Sequence, residues 1–458
     1  MHNFLESIKN SAEKFKSISP KFVRIISHLD TDGLCSAAIL IATMQRLNIN
    51  FSLSILTQLD EKIIEGIQKE SCSCIIFSDL GSSQLNFLSG LHGKDVFILD
   101  HHKPREAPCS FTHVNPHLFE IDGGFNISGA GVSYLFAKAL DEQNIDLAHI
   151  AIIGAIGDFQ ENNGFRGLND LILKDAILAQ KIIVKTGLKI FGAQTRSLAK
   201  AIQLSTEPYI PGVTGFENAS IEFLKSLNIS PQKKLPELTQ EELQKLVTAI
   251  IMKRMSTEDN PEDVLGNLYY LNSEPEDSPI RDLREFSTLL NATGRLKKSS
   301  LGIGTLLNDS KIKAIAINTL NDYKKELLDS LNWFYNNRKT NSIVEGKNYV
   351  IINGGDNIKE TIVATLAMMI CKSNLYKPAT YIMAIAYTFN NEIKVSMRMV
   401  SPPEGVDLRK PLQQMIERVG SGEMGGHSLA CGGVIKLEYE PKLIAAAKEV
   451  FEQYAMEL

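Results

Sequence analysis

The stretch FVRIISHLDTDG (22–33) runs from an apolar segment of strand length straight into a polar cluster carrying His28, Asp30 and Asp32, and closes on Gly33. The next residues, LCSAAILIATMQRL (34–47), have the spacing of a helix. Three further apolar runs, CIIFS (74–78), DVFIL (95–99) and HIAIIGAIG (149–157), are expected to be strands, and GAGVSYLFAKALDE (129–142) a helix between them. Continuous apolarity points to parallel strands covered on both faces, so the first third of the chain predicts a doubly wound α/β sheet.

Polar residues follow every one of these runs. The first is followed by His28, Asp30 and Asp32, the second by Asp79, the third by Asp100, His101 and His102, and the fourth by Asp158. In an open parallel sheet the carboxyl ends of the strands share one crevice, so these residues are expected to meet there. Asp30 and Asp32, two apart, would point the same way from an extended segment. Carboxylates packed that closely raise one another's pKa unless cations neutralise them, which predicts a pair of divalent metal ions. Mixed Asp and His ligation suits manganese or a similar borderline ion better than magnesium alone. Two metals would clamp a phosphoryl group for in-line hydrolysis of a phosphate ester. A lone Asp after a strand is more often a helix cap or turn residue, a role open to Asp79 and Asp158 singly. Repetition at four successive run ends argues for a site.

The 458 residues predict two to four domains, and 44 % hydrophobic with 22 % charged residues is a soluble composition. A net charge of −5 excludes a general polyanion binder, so any contact with nucleic acid must be local. Cys35, Cys72, Cys74, Cys109, Cys371 and Cys431 are too scattered for a zinc knuckle or a disulfide framework. The polar start and the charges that interrupt the apolar stretches predict no secretory signal and no membrane span, hence a cytoplasmic protein.

From Asn348 the pattern is strand, helix, two strands around an Asn-Asn turn, helix, glycine-rich loop, strand and helix, a small second α/β domain. In that loop Gly425 and Gly426 let backbone N–H groups approach an anion, and His427 adds a donor. Arg295 and Arg398 can each fork onto phosphate oxygens. Residues 199–280 are polar and broken by prolines into short helices, readable as a spacer packed on the catalytic core.

The motifs SHLDTDG (27–33), SDLGS (78–82), LDHHKP (99–104) and GAIGDFQE (154–161) resemble those of the DHH phosphoesterase superfamily. MGGHSLACGG (424–433) resembles the signature of the accompanying DHHA1 domain, with Cys431 where a second small residue usually stands. LNATGRL (290–296) and SMR (396–398) resemble motifs of the RecJ-like branch. The resemblance implies a DHH catalytic domain over residues 1–198, an insertion over 199–280, a helical connector over 281–345 and a DHHA1 domain over 346–458. It implies His28, Asp30, Asp32, Asp79, His101 and Asp158 as ligands of two divalent ions, manganese or magnesium, with Asp79 bridging. His102 is implied as a phosphate contact, Asp100 as the residue orienting the histidines, and Arg295, Arg398, Gly425, Gly426 and His427 as the phosphate clamp. The implied activity is a metal-dependent exonuclease on single-stranded DNA or RNA, with a replication partner of the GINS type on the insertion. An oligonucleotide or cyclic-dinucleotide phosphodiesterase and a non-catalytic replicative-helicase scaffold are the alternatives.

Overall fold

The register of the first sheet decides where the polar cluster goes. A computed structural model describes residues 1–454 apart from 107–109, 163, 206–207, 256–259, 374, 389, 404 and the side chain of His427. It divides into two units, Met1–Leu320 and Asn321–Leu458.

The first unit begins with α1 (His2–Ile18), β1 (Phe22–His28), α2 (Thr31–Arg46), β2 (Asn50–Leu56), α3 (Glu61–Lys69), β3 (Cys74–Ser78), α4 (Leu85–Leu88), β4 (Asp95–Leu99) and β5 (Thr112–Val114). The strands form one parallel sheet in the order β2-β1-β3-β4-β5. Ser27 pairs with Ser78, and Ser78 with Leu99, so the next residues on three adjacent strands, His28, Asp79 and Asp100, stand in one row at the carboxyl edge. The chain leaves β1 toward β2 on one side and continues with β3 on the other, which makes this edge the topological switch point where ligands bind. Hydroxyl bonds lock the row from below: Ser27 Oγ donates to the Gly33 carbonyl (2.7 Å), and Ser78 Oγ to Ser27 Oγ (2.9 Å). Phe15 of α1 meets Phe97 and Phe136 with ring centroids 5.5 and 5.8 Å apart, so the first helix covers one face of the sheet.

Next come α5 (Gly129–Leu140), α6 (Ala148–Gly157), α7 (Gly167–Leu178) and β6 (Ile182–Leu188). The run 149–157, expected as a fourth strand, is the helix α6. A continuous apolar run reads the same for a strand covered on both faces and for a helix buried all round, and here Ala148 and Ile150–Ile156 are all buried. Its small residues admit close neighbours: a Cβ on Gly154 would lie 2.4 Å from Asp32 Oδ1 and 2.6 Å from Ala130 Cβ. Two strands of this sheet escaped the sequence reading, β2, which alternates polar with apolar residues, and the three-residue β5; the later β6, β7 (Leu265–Leu271) and β8 (Ile343–Glu345) escaped it too.

The insertion holds α8 (Leu198–Leu204), α9 (Glu217–Ser226) and α10 (Gln240–Arg254), and ends at β7 (Leu265–Leu271). It packs on an apolar cluster of its own that includes Leu188, Leu198, Ile210, Phe223, Leu246 and Val264. β6 and β7 pair antiparallel from Ile182↔Leu271 to Leu188↔Leu265, so the insertion springs from the open end of a two-stranded ribbon. Then follow α11 (Leu283–Arg295), α12 (Ser299–Leu306) and α13 (Ser310–Asn337).

The second unit contains β8 (Ile343–Glu345), β9 (Tyr349–Asn353), α14 (Val363–Cys371), β10 (Tyr381–Tyr387), β11 (Glu392–Met399), α15 (Arg409–Val419), β12 (Glu423–His427), β13 (Ala430–Lys436) and α16 (Glu440–Tyr454). Its strands are ordered β12-β13-β11-β10-β9-β8. Apolar clusters lie on both faces, one including Met383, Val395 and Phe451, the other Ile352, Leu366 and Ala384. The glycine-rich stretch expected as a loop is instead the strand β12, paired with β13 from Glu423↔Val434 to His427↔Ala430. Of its two glycines, Gly426 answers to backbone crowding: it has φ +112°, and a Cβ there would lie 2.5 Å from the Ala430 carbonyl oxygen. Among the described residues no helix is long and apolar enough to cross a membrane.

Candidate metal centre

Eight side chains converge at the carboxyl edge of the sheet. Ligand atoms of His28, Asp30 and Asp79 lie within 4.8 Å of one another, as do those of Asp32, His101 and Asp158, and those of Asp79, Asp100, His101 and His102. Asp79 and His101 each belong to two of these groups, so the cluster is continuous. Asp30 and Asp32 fall into different groups. The expectation that they point the same way from an extended segment fails because α2 begins between them. Asp30 is the extended cap whose Oδ1 accepts from Gly33 N (3.0 Å), and Asp32 lies in the first helical turn.

Each side chain is held by a distinct device. The Asp32 carboxylate sits on the N-terminus of α5, where Oδ2 accepts from Gly129 N (2.6 Å) and Oδ1 from Ala130 N (3.0 Å), an anion cradle made of free helical N–H groups. Gly129 is required there, since a Cβ would lie 2.6 Å from Asp79 Oδ1 and 3.0 Å from Asp79 Cα. His101 Nδ1 donates to the Gly123 carbonyl (2.8 Å), which fixes the tautomer and leaves Nε2 with a lone pair. That Nε2 lies 3.4 Å from Asp79 Oδ1, 3.3 Å from Asp158 Oδ2 and 3.6 Å from Asp32 Oδ2. Asp100 is saturated: Oδ1 accepts from His101 N (2.8 Å), His102 N (3.2 Å) and His102 Nδ1 (2.8 Å), and Oδ2 from Ser82 N (2.9 Å). It is a brace that orients His102. Asp158 closes α6 as its C-terminal cap.

The electrostatics are those of a site short of positive charge. Burial, with Asp32 and Asp30 alongside, pushes the Asp79 carboxyl well above the usual range. Burial and Asp32 push Asp158 up to about 7, and a carboxylate at a helix C-terminus also opposes the dipole. His101, which burial alone would lower, is raised instead by Asp79, Asp158 and Asp32. Burial works against the ionised forms of His28 and Asp30 too, yet their mutual contact raises the first and lowers the second.

The residues fit divalent cations on geometry as well. His28 Nδ1, both carboxylate oxygens of Asp79 and His101 Nε2 are buried and make no well-formed hydrogen bond, although acidic or basic partners lie 2.9–3.8 Å away. Buried polar atoms are ordinarily paired, because leaving one unpaired costs about 1–3 kcal/mol. Atoms that face one another at these separations without hydrogen-bond angles are disposed as co-ligands around a point between them. Mixed carboxylate and imidazole donors suit a borderline divalent ion.

Residues of α11 and the buried Gln160 hold the cluster from behind. Asn291 Oδ1 accepts from Thr31 N (3.1 Å), and Thr31 Oγ1 donates to the Ser287 carbonyl (2.8 Å), so α11 braces the loop that carries Asp30. A Cβ on Gly294 would lie 1.8 Å from the Leu29 carbonyl oxygen. Gln160 is buried and donates from Nε2 to the Gly123 carbonyl (2.9 Å), the acceptor of His101 Nδ1. Among the devices that hold the ligands, the helix start at Ser128-Gly-Ala-Gly is the one with a sequence signal, that of a capped N-terminus with free N–H groups. Arg295, at the end of α11, is near enough for its charge to act on His28. Arg398 lies on β11 of the second unit, where Nη1 donates to the Met397 carbonyl (2.7 Å). Gly425, Gly426 and His427 lie on β12 of that unit; the His427 side chain is outside the described parts.

Comparison with known proteins agrees with this arrangement. Residues 22–157 match the N-terminal domain of the DHH family, 190–268 the DHH-CID domain and 346–453 the DHHA1 domain. An uncharacterised protein of Methanocaldococcus jannaschii is 29 % identical over 97 % of this chain and 98 % of its own length. A SPbeta prophage-derived protein of Bacillus subtilis, YorK, described as a single-strand DNA-specific exonuclease, is 25 % identical over 36 % of this chain and 31 % of its own. Among solved structures, RecJ of Thermus thermophilus with Mn2+ superposes with a TM-score of 0.59 at 15 % identity, over 99 % of this chain and 55 % of RecJ. CDC45 of Entamoeba histolytica superposes with a TM-score of 0.66 at 12 % identity, over 98 % of both chains. The chain thus spans about half of that RecJ and about a third of YorK. With its DHH, DHH-CID and DHHA1 domains in succession on the RecJ-like fold, the chain belongs to the DHH/DHHA1 superfamily.

Proposed function

We propose that the chain is a divalent-metal-dependent phosphodiesterase that shortens single-stranded DNA or RNA from an end, with manganese as the preferred ion. The observation that carries this reading is the convergence of unpaired, buried Asp79, His101 and His28 atoms on one another at the switch point of the sheet. When bound there, two divalent ions would polarise the phosphoryl oxygens and supply an activated water.

The chain's own residues do the remaining work. His28, Asp30 and Asp79 would hold one ion and Asp32, His101 and Asp158 the other, with Asp79 shared. Asp32 is pinned by two backbone N–H groups and His101 by Gly123, so both are preorganised. Asp100 fixes the ring of His102 through Nδ1, an orientation in which the imidazole would contact a phosphate oxygen. Arg295, Arg398 and the strand carrying Gly425, Gly426 and His427 would grip phosphates along the strand, where forked guanidinium contacts set register without reading sequence. The insertion, closed on an apolar core of its own, would dock a replication partner of the GINS type.

Digestion of end-labelled single strands of both sugars, with manganese or magnesium, tests this beside a dinucleotide and a cyclic dinucleotide. The expected outcome is progressive shortening of the long strands. Cleavage of the short substrates alone would replace the nuclease with an oligonucleotide phosphodiesterase. Metal binding without hydrolysis of any of them would support a scaffold, the reading with which the likeness to CDC45 is compatible.

A further inference from the structure

Two aromatic rings stand in water beside the carboxylate cluster. Phe159, directly after Asp158, is 68 % exposed, and Phe125, two residues after Gly123, is 62 % exposed. Single exposed apolar side chains are ordinary, so exposure alone says little. Phe159, however, has φ +58°, a left-handed conformation that a bulky residue with no local hydrogen bond adopts only where its surroundings hold it.

Those surroundings are rigid. Phe159 N donates to the Ile156 carbonyl (3.1 Å) and Gln160 N to the Ala155 carbonyl (3.0 Å), which ties the turn to the end of α6. The buried Gln160 side chain then bonds the Gly123 carbonyl (2.9 Å) and accepts from Asn169 Nδ2 (2.6 Å). The turn bearing Phe159 and the loop bearing Phe125 are therefore fastened together at the carbonyl that fixes His101. One ring follows Asp158, whose carboxylate is 3.3 Å from His101 Nε2, and the other lies two residues from Gly123, whose carbonyl anchors His101.

We propose that Phe159, with Phe125, is a stacking platform for the nucleobase flanking the scissile phosphate, and so makes the base a requirement for cleavage. The proposal rests on the nuclease reading above. A phosphate bound at the cluster brings its own nucleoside to the rim, and every base has a π-face, so a phenyl ring selects nucleotidic esters without selecting sequence. Holding the ring on a braced left-handed turn removes the ordering cost from the binding step.

The test is a ratio. Wild type, Phe159→Ala and Phe159→Trp are compared on a labelled single strand and on the same strand with abasic residues at its ends, with bound manganese measured in each. Wild type is expected to favour the base-bearing strand by about ten- to hundredfold in kcat/KM. Phe159→Ala should lose that preference and Phe159→Trp keep it, at equal metal content. A preference that survives in Phe159→Ala, whatever the absolute rate, overturns the platform. If wild type cuts neither strand the nuclease reading fails by itself, and the platform is then judged by the anisotropy of a labelled thymidine tetranucleotide against its abasic counterpart. Tighter wild-type binding of the former, lost in Phe159→Ala, supports the proposal, and equal affinities overturn it.

Discussion

Asp79 concentrates the conflict between stability and chemistry in one residue. Its carboxylate is buried without a well-formed hydrogen bond, and its backbone sits at φ +57°. Alanine would add backbone strain of roughly 1–2 kcal/mol in that conformation, whereas asparagine tolerates it and keeps the shape, so Asp79→Asn is the informative variant. With chelator present it should melt above wild type, since a buried carboxyl repelled by its neighbours is gone, by about 1–2 °C for each kcal/mol relieved in a protein of this size. Manganese should raise the melting temperature of wild type and not of the variant, and hydrolysis should fall roughly a thousandfold or more. Calorimetry with and without metal checks both halves, and a variant that still gained stability from manganese would remove Asp79 from the ligand set. The row His28, Asp79, Asp100 was legible in the chain because each residue directly follows a short apolar run whose strand character is local. The match of the α5 N-terminus with Asp32 was not, because a helix start signals free N–H groups but not the carboxylate they receive 97 and 98 positions away.

At the scale of elements, the misread helix α6 shows where apolar periodicity fails. A run buried all round has no polar face to reveal its period, and only its alanines and glycines, needed where it touches Asp32 and Ala130, distinguished it from a strand. Half-buried His149 on this helix donates from Nδ1 to the Asp146 carbonyl (2.9 Å), and burial, helped by the Lys181 charge, pushes its imidazole down to about 4. A histidine depressed in the folded state favours folding above its unfolded pKa, near 6.5, and that contribution is lost as pH falls toward about 4. His149→Gln should therefore narrow the difference in melting temperature between pH 7 and pH 5, and an unchanged difference would show that the ring is solvated. The brace from α11 was equally hidden, since Asn291 and Thr31 are 260 positions apart. Asn291→Ala leaves the Thr31 N–H unpaired, at a cost of about 1–3 kcal/mol, and should weaken manganese binding roughly ten- to hundredfold, as removal of an outer support does. Titration calorimetry on the folded variant reads that loss.

For the molecule as a whole, the β6–β7 ribbon defines what can be removed. Leu188 and Leu265 face each other across it, so residues 189–264 can be replaced by a two-residue Asn-Gly turn without disturbing the strands. A cut at residues 206–280 would instead destroy β7 and divide the insertion's apolar core. Thr195 Oγ1 donates to the buried Glu285 (2.7 Å), so the excision removes that bond and should carry Glu285→Gln to lower the cost of losing it. The shortened chain is expected to stay folded, bind metal and cleave single strands within about tenfold of the wild-type rate, and to lose binding to a GINS-type partner. Retained partner binding would move that surface elsewhere. The ribbon also acts as an insulator of fluctuations. Seven paired positions stand between the insertion and the sheet that carries the ligands, so once the Thr195–Glu285 bond to α11 is released the insertion should open and reclose as one cooperative block without loosening the metal site. In native-state hydrogen exchange the amides of 189–264 should therefore share one opening energy, lower than that of β1, β3 and β4. Saturating manganese should then slow exchange in those strands and leave the insertion's rates untouched.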